Sequence, residues 1–105
     1  MRKSKINISG FKIGTAENRE GLTGVTVILA PDGGATAGVD VRGCAPGTRE
    51  TDLLDPRKTV QKIHAVVLSG GSAFGLEAAS GCVKYLAEQG VGFPIGNVCV
   101  PIVCS

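Results

Sequence analysis

Residues 63–75 read I-H-A-V-V-L-S-G-G-S-A-F-G. From Ala65 to Leu68 apolar residues fall on both parities, the pattern of a strand buried on two faces. Ser69, Gly70, Gly71 and Ser72 then allow a sharp change of direction. An 18-residue helical pattern follows from Ser72 to Gln89, stopped by Gly90. Strand, tight turn and helix in succession predict an α/β fold. The turn's free backbone N–H groups would lie at the positive end of the helix, where a carboxylate, a phosphate or a developing oxyanion is favoured.

Downstream, Ser72 is the expected N-cap, and Leu76, Ala79, Val83 and Leu86 form a stripe that should face the sheet. Ala78, Ala79, Ser80 and Gly81 are small enough for a close helix–sheet approach. Lys84 and Glu88 are spaced to pair on the wet face. After Gly92-Phe93-Pro94 the chain reads I-G-N-V-C-V-P-I-V-C-S. This apolar run predicts a strand, with Pro101 confined to an edge, a strand start or a bulge. The run has no polar exit, so the expectation is one incomplete domain over residues 1–105, interrupted within a strand.

Upstream, Ile6, Ile8, Phe11 and Ile13 alternate with polar residues around Ser9-Gly10, which suggests two short extended pieces. Thr15 to Gly21 reads as a polar connection. Gly24 to Ala30 is a second apolar strand, ended by Pro31-Asp32-Gly33-Gly34. Ala35 to Arg42 alternates cleanly and is expected to return as the partner strand of a hairpin. Gly43 to Asp55 has no sustained period and reads as a long surface connection, with a helical turn over Pro56 to Gln61. Arg49 in that loop could clamp a carboxylate, although a loop-bracing Arg is the commoner role.

Composition narrows the function classes. The chain has 105 residues, 43% of them hydrophobic, with 16 Gly, three Phe, one Tyr and no Trp, so the core must be built from small and branched side chains. Net charge is +2, with a cluster at Arg2, Lys3 and Lys5 but no basic stripe interleaved with aromatics, which argues against nucleic acid as a partner. No segment approaches the roughly 20 apolar residues of a membrane span, and the N-terminus has no signal-peptide core, so a cytoplasmic, membrane-free protein is expected. Cys44, Cys82, Cys99 and Cys104 form no C-x-x-C pair, and His64 alone cannot complete a metal site with them. No metal or other cofactor is expected, and Cys82, Cys99 and Cys104 read as small hydrophobes.

Two catalytic motifs are approached and missed. Gly70-Gly71-Ser72-Ala73-Phe74 fits the first three positions of the nucleophile elbow G-x-S-x-G, but Phe74 breaks the fifth. His64 lies near the far end of the same strand, beyond hydrogen-bond reach of Ser72. The dinucleotide fingerprint is matched only as Gly70-x-Ser72-x-x-Gly75, with no acidic residue closing the next strand. A His satisfied inside or at the edge of the sheet is the simpler role for His64.

Taken together, G-V-T-V-I-L-A-P (24–31), A-G-V-D-V-R-G-C-A-P-G-T-R-E-T-D-L-L (37–54), H-A-V-V-L-S-G-G-S-A-F-G-L-E-A-A (64–79) and G-V-G-F-P-I-G (90–96) resemble one family. It is the self-cleaving L-aminopeptidase/D-esterase (DmpA-type) peptidase family, which also includes nylon-oligomer hydrolases. The resemblance implies the N-terminal part of an αββα sandwich of the N-terminal-nucleophile-hydrolase type. Such a precursor cuts itself, and the new N-terminal Ser or Thr of its second chain becomes the nucleophile, with its own α-amine as base.

The resemblance covers the first third of such a precursor. None of the residues here matches the family's nucleophile, its second-chain helpers, or the later tyrosine and asparagine that assist the oxyanion. The chain alone is therefore expected to be inactive. The parent is expected to be a homo-oligomer acting on a peptide or small amide substrate. What remains here is the turn, with Ser69, Gly70, Gly71, Ser72, Ala73 and Phe74 expected to line the substrate pocket. In the aminopeptidase branch an acidic residue would be expected in this turn to hold the substrate's amino group, and Ser72 and Ala73 supply no charge. Two other readings stand beside it: a small α/β module that binds an anion at the turn, and an interaction protein whose last strand pairs with another chain.

Overall fold

A computed structural model describes residues 8–105. The basic cluster at Arg2, Lys3 and Lys5, and the extended piece at Ile6, lie outside the described residues. The main sheet has four strands in the order β1-β2-β3-β6, formed by β1 (Lys12–Asn18), β2 (Thr23–Leu29), β3 (Ala65–Ser69) and β6 (Val103–Cys104). β1 and β2 are antiparallel, β2 and β3 are antiparallel, and β3 and β6 are parallel, so the sheet is mixed. One helix, α1 (Ala78–Glu88), lies across it, and β4 (Phe93–Ile95) with β5 (Val98–Val100) makes a separate two-stranded ribbon. The fold is α/β, and none of the described helices is long and apolar enough to cross a membrane.

β3 is the strand that the A-V-V-L run predicts, with Ala65 and Val67 each 1% exposed, but only one of its faces is fully buried, because Val66 is half-buried and Leu68 is 58% exposed. Ala65 and Val67 pack with Ala79, Cys82, Leu86 and Val103 beneath α1, while Val25, Val27 and Leu29 of β2 extend the same apolar layer. The helix stripe is thus confirmed at Ala79 and Leu86, and Cys82 behaves as the small hydrophobe its position suggests. On the opposite side Ile63, Ile102 and Cys104 form a second cluster with Leu53, Leu54, Val66 and Phe93. Fully burying an aliphatic side chain of this kind contributes about 1.5–3 kcal/mol, so the paired clusters on either side of β3 hold the sheet's centre.

Five expectations are corrected. Residues 35–42 do not form the hairpin partner of β2, because β1 occupies one edge of β2 and β3 the other. Only Ala35 pairs, in an isolated bridge with Ile63, through two backbone hydrogen bonds of 2.9 Å. The hairpin is β1–β2 instead. Thr15, Ala16, Glu17 and Asn18 belong to β1, and the turn after them is held by the Asn18 side chain, whose Oδ1 accepts the N–H of Gly21 at 2.9 Å.

The helix is also shorter than its pattern. Ser72–Glu77 is a 3₁₀ segment, and α-helical geometry begins only at Ala78. Pro56 to Gln61 forms turns rather than a helical turn, opened by Arg57, which grips Asp55 through its backbone N–H and its guanidinium. Those hydrogen bonds draw the Asp55 carboxyl down to about 2. Finally, the apolar stretch 95–105 divides among β4, β5 and β6, with Pro101 in the break between the last two.

Candidate functional site

The site is assembled where β3 ends. Gly70 donates its N–H to the Gly24 carbonyl at 2.9 Å, continuing the β2–β3 ladder by one residue. Gly71 then adopts φ 94° and Ser72 φ 59°, both in the left-handed region. Gly71 does so freely. For Ser72 that backbone costs about 1–2 kcal/mol, because its Cβ crowds the following carbonyl. The reversal is tight enough that a Cβ at Gly75 would fall onto the carbonyl oxygen of Gly70. Only a residue without a side chain fits there.

Ser72 therefore does not act as the N-cap the pattern suggests. The residue before the 3₁₀ segment is Gly71, and neither it nor the residue before α1 makes a side-chain cap. The dipole of α1 starts at Ala78, six residues beyond the point expected, which weakens the case for an anion held at Ser69–Ser72.

A cleft of about 380 Å³ opens beside the turn, lined by Ala16, Glu17, Asn18, Thr23, Gly24, Val25, Ser69, Gly70, Phe74, Gly75 and Ala78. Of the six residues expected from the sequence, Ser69, Gly70 and Phe74 line it. Gly71, Ser72 and Ala73 shape the turn without lining the cleft. Phe74 is 93% exposed, an aromatic face standing at the mouth. Sequence reading missed the contribution of β1 altogether. Glu17 borders the cleft from a segment, K-I-G-T-A-E-N, that carries little strand signal, and its place opposite Gly24, out of phase with the Ala16–Val25 pair beneath α1, turns its side chain to the other face of the sheet. The Glu17 carboxylate accepts from Arg19 Nε at 2.9 Å, with both groups largely in solvent.

His64 lies at the other end of β3, roughly 16 Å from Ser69 at about 3.3 Å per residue, and takes no part in this cleft. It is buried and satisfied at Nδ1, which accepts the N–H of Ile102 at 3.1 Å, and burial lowers its pKa. Arg49 braces the loop: its guanidinium donates to Ser80 Oγ at 2.7 Å and to the Leu76 carbonyl at 3.4 Å. Cys44 is exposed, Cys99 is half-buried, and Cys82 and Cys104 are buried free thiols. Burial raises the pKa of both buried thiols, and nearby Glu50 adds to the rise at Cys104.

Known proteins with this sequence pattern fall into one group. An uncharacterized aminopeptidase of Mycobacterium tuberculosis is 54% identical over 80 residues, covering 76% of this chain and 23% of that protein. A similarly named protein of Mycobacterium leprae matches at 54% over 80 residues, 76% of this chain and 22% of its own length. The 6-aminohexanoate-oligomer endohydrolase of Paenarthrobacter ureafaciens is 39% identical over 85 residues, covering 81% of this chain and 21% of that enzyme. The chain thus spans a quarter or less of the length of the curated relatives it matches. The family model of peptidase family S58 matches residues 5–105, and the chain belongs to that family.

Proposed function

We propose that this chain forms one wall of the substrate pocket in a hydrolase that cleaves amide or ester bonds with a self-generated N-terminal Ser or Thr. The nucleophile is supplied from outside residues 1–105, within an αββα sandwich whose first sheet and helix are those described above. The observation that carries the reading is the strained strand-to-helix turn, with Ser72 at φ 59°, beside a cleft at whose mouth Phe74 stands exposed. Strain of this kind persists where the surrounding structure fixes it, and it clusters at pockets and active sites.

The late start of α1 at Ala78 disfavours the anion-binding module, because no helix N-terminus stands at Ser69–Ser72. The parent acts on peptide or small amide substrates as a cytoplasmic homo-oligomer, and residues 1–105 alone are inactive. The test is an assay of the purified 105-residue chain on amino-acid anilides, amino-acid esters and short amide oligomers. No turnover is expected, and turnover abolished by Ser72→Ala would overturn the assignment in favour of a nucleophile elbow.

A further inference from the structure

A second cleft, of about 650 Å³, lies at the opposite end of β3 from the turn. Its lining includes Asp32 and Gly33 from the turn after β2, Lys62 and His64 from the approach to β3, and Val91, Phe93 and Pro94 after α1. His64 is 6% exposed, and its Nδ1 is already an acceptor for the Ile102 N–H. That assigns the ring proton of the neutral imidazole to Nε2. The hydrogen bonds among the described residues give Nε2 no partner. No fully enclosed side-chain nitrogen or oxygen among them lacks one, so Nε2 opens onto the cleft.

Nε2 therefore keeps contact with solvent, and a ligand oxygen that accepts from it takes the place of a water. Burial lowers the pKa of His64, which keeps the ring a neutral donor at neutral pH. Around this donor the cleft offers one cation, Lys62, and one anion, Asp32, with Val91, Phe93 and Pro94 as an apolar wall. Opposite charges flanking a neutral donor suit a molecule that carries both charges itself. A simple anion would meet Asp32, and a simple cation would meet Lys62.

We propose that this cleft binds a free α-amino acid with an apolar side chain. The ligand's carboxylate accepts from His64 Nε2–H and pairs with Lys62, its ammonium group faces Asp32, and its side chain lies against Phe93 and Pro94. A volume in the range of small-molecule sites accommodates such a ligand together with water. The site is separate from the Ser69–Gly75 turn, and its test does not depend on hydrolysis.

His64 is the chain's single histidine, so long-range ¹H–¹⁵N spectra report one imidazole without assignment. Titrating the folded 105-residue chain with L-leucine is expected to shift the Nε2 and Hε1 resonances saturably, with half-saturation at about 1 mM or below. Lys62→Met, at an exposed position, should leave the amide spectrum folded and weaken binding by about fivefold or more. Asp32→Asn should weaken leucine in the same way while strengthening N-acetyl-leucine, whose lone negative charge Asp32 repels. An imidazole unmoved by leucine up to about 50 mM overturns the proposal. Equal responses to leucine, leucinamide and N-acetyl-leucine would also overturn it, since binding would then be indifferent to the two charges.

Discussion

Ile102 and His64 are tied twice: the Ile102 N–H donates to His64 Nδ1 at 3.1 Å, and the Ile102 carbonyl accepts the His64 N–H at 2.8 Å. The first bond requires a neutral ring. Burial holds the folded pKa below the ordinary 6.5, so on acidification the unfolded chain takes up a proton before the folded chain does. Stability is therefore expected to be full above pH 6.5 and to fall as the pH drops from there to the folded pKa, below which this contribution is exhausted. Asp32 and Lys62, the charged groups in the adjoining cleft, oppose each other in sign and leave the direction set by burial. Urea midpoints measured between pH 8 and pH 5 on the chain and on a His64→Gln variant check this, since the variant should lose the dependence near pH 6.

Arg49 joins the long loop to the helical layer through Ser80. Arg49→Ala is expected to cost about 1–2 kcal/mol, the usual worth of a partly buried charged hydrogen bond. Ser80→Ala should cost less, and the two losses should not add, because both remove the same contact. Denaturant unfolding of the two single variants and the double variant measures the coupling.

Gly75 has no space for a side chain. Gly75→Ala forces the new methyl group against the Gly70 carbonyl, and a loss of about 3 kcal/mol or more is expected. Gly81→Ala provides the contrast, because a Cβ at Gly81 meets nothing within 4 Å and helix propensity favours Ala by about 1 kcal/mol. Thermal unfolding should move in opposite directions for the two substitutions.

Ser72 holds a left-handed backbone without a capping bond in return. Ser72→Gly is expected to raise stability by about 0.5–1 kcal/mol, whereas Ser72→Ala should give no gain, because alanine keeps the Cβ. Chemical denaturation distinguishes them. A loss of stability in Ser72→Gly would mean that the serine hydroxyl makes a contact of its own.

The thiols should separate by reactivity. Cys44 is exposed and should react with a disulfide reagent at the rate of an ordinary thiol. Cys82 and Cys104 are buried with raised pKa values and should react only as the chain unfolds. Timed labelling followed by mass spectrometry reads each site.

Much of the frame was legible because it rests on local patterns. The A-V-V-L run of β3, the β2 strand and the apolar positions of α1 each carry a periodicity that burial enforces. Three features were not legible, each because it depends on a distant segment. Ala35–Arg42 alternates like a strand, yet both edges of β2 are taken by partners it cannot outcompete. Ala16 and Asn18 look like part of a polar linker until β2 pairs with them, and only then do they reach the cleft. The 3₁₀ start of the helix lies where Gly75 approaches the Gly70 carbonyl too closely for any side chain, a contact that no propensity describes. At the site, Ser69, Gly70 and Phe74 were readable from the turn motif, whereas the β1 side of the cleft was not.

The parallel pairing of β3 with β6 sets an order of events for a chain made from its N-terminus. β1, β2 and β3 can assemble as soon as Ser69 is available, but the far edge of β3 stays bare until Val103 and Cys104 exist. During that interval Ala65 and Val67 belong to an apolar strand with an open row of backbone donors and acceptors, the arrangement most prone to pairing with another chain. Ribosome-bound intermediates ending between residues 70 and 100 should thus be the sticky ones, and the two-residue β6 strand, once made, covers Ala65 and Val66 and leaves the sheet a much shorter edge.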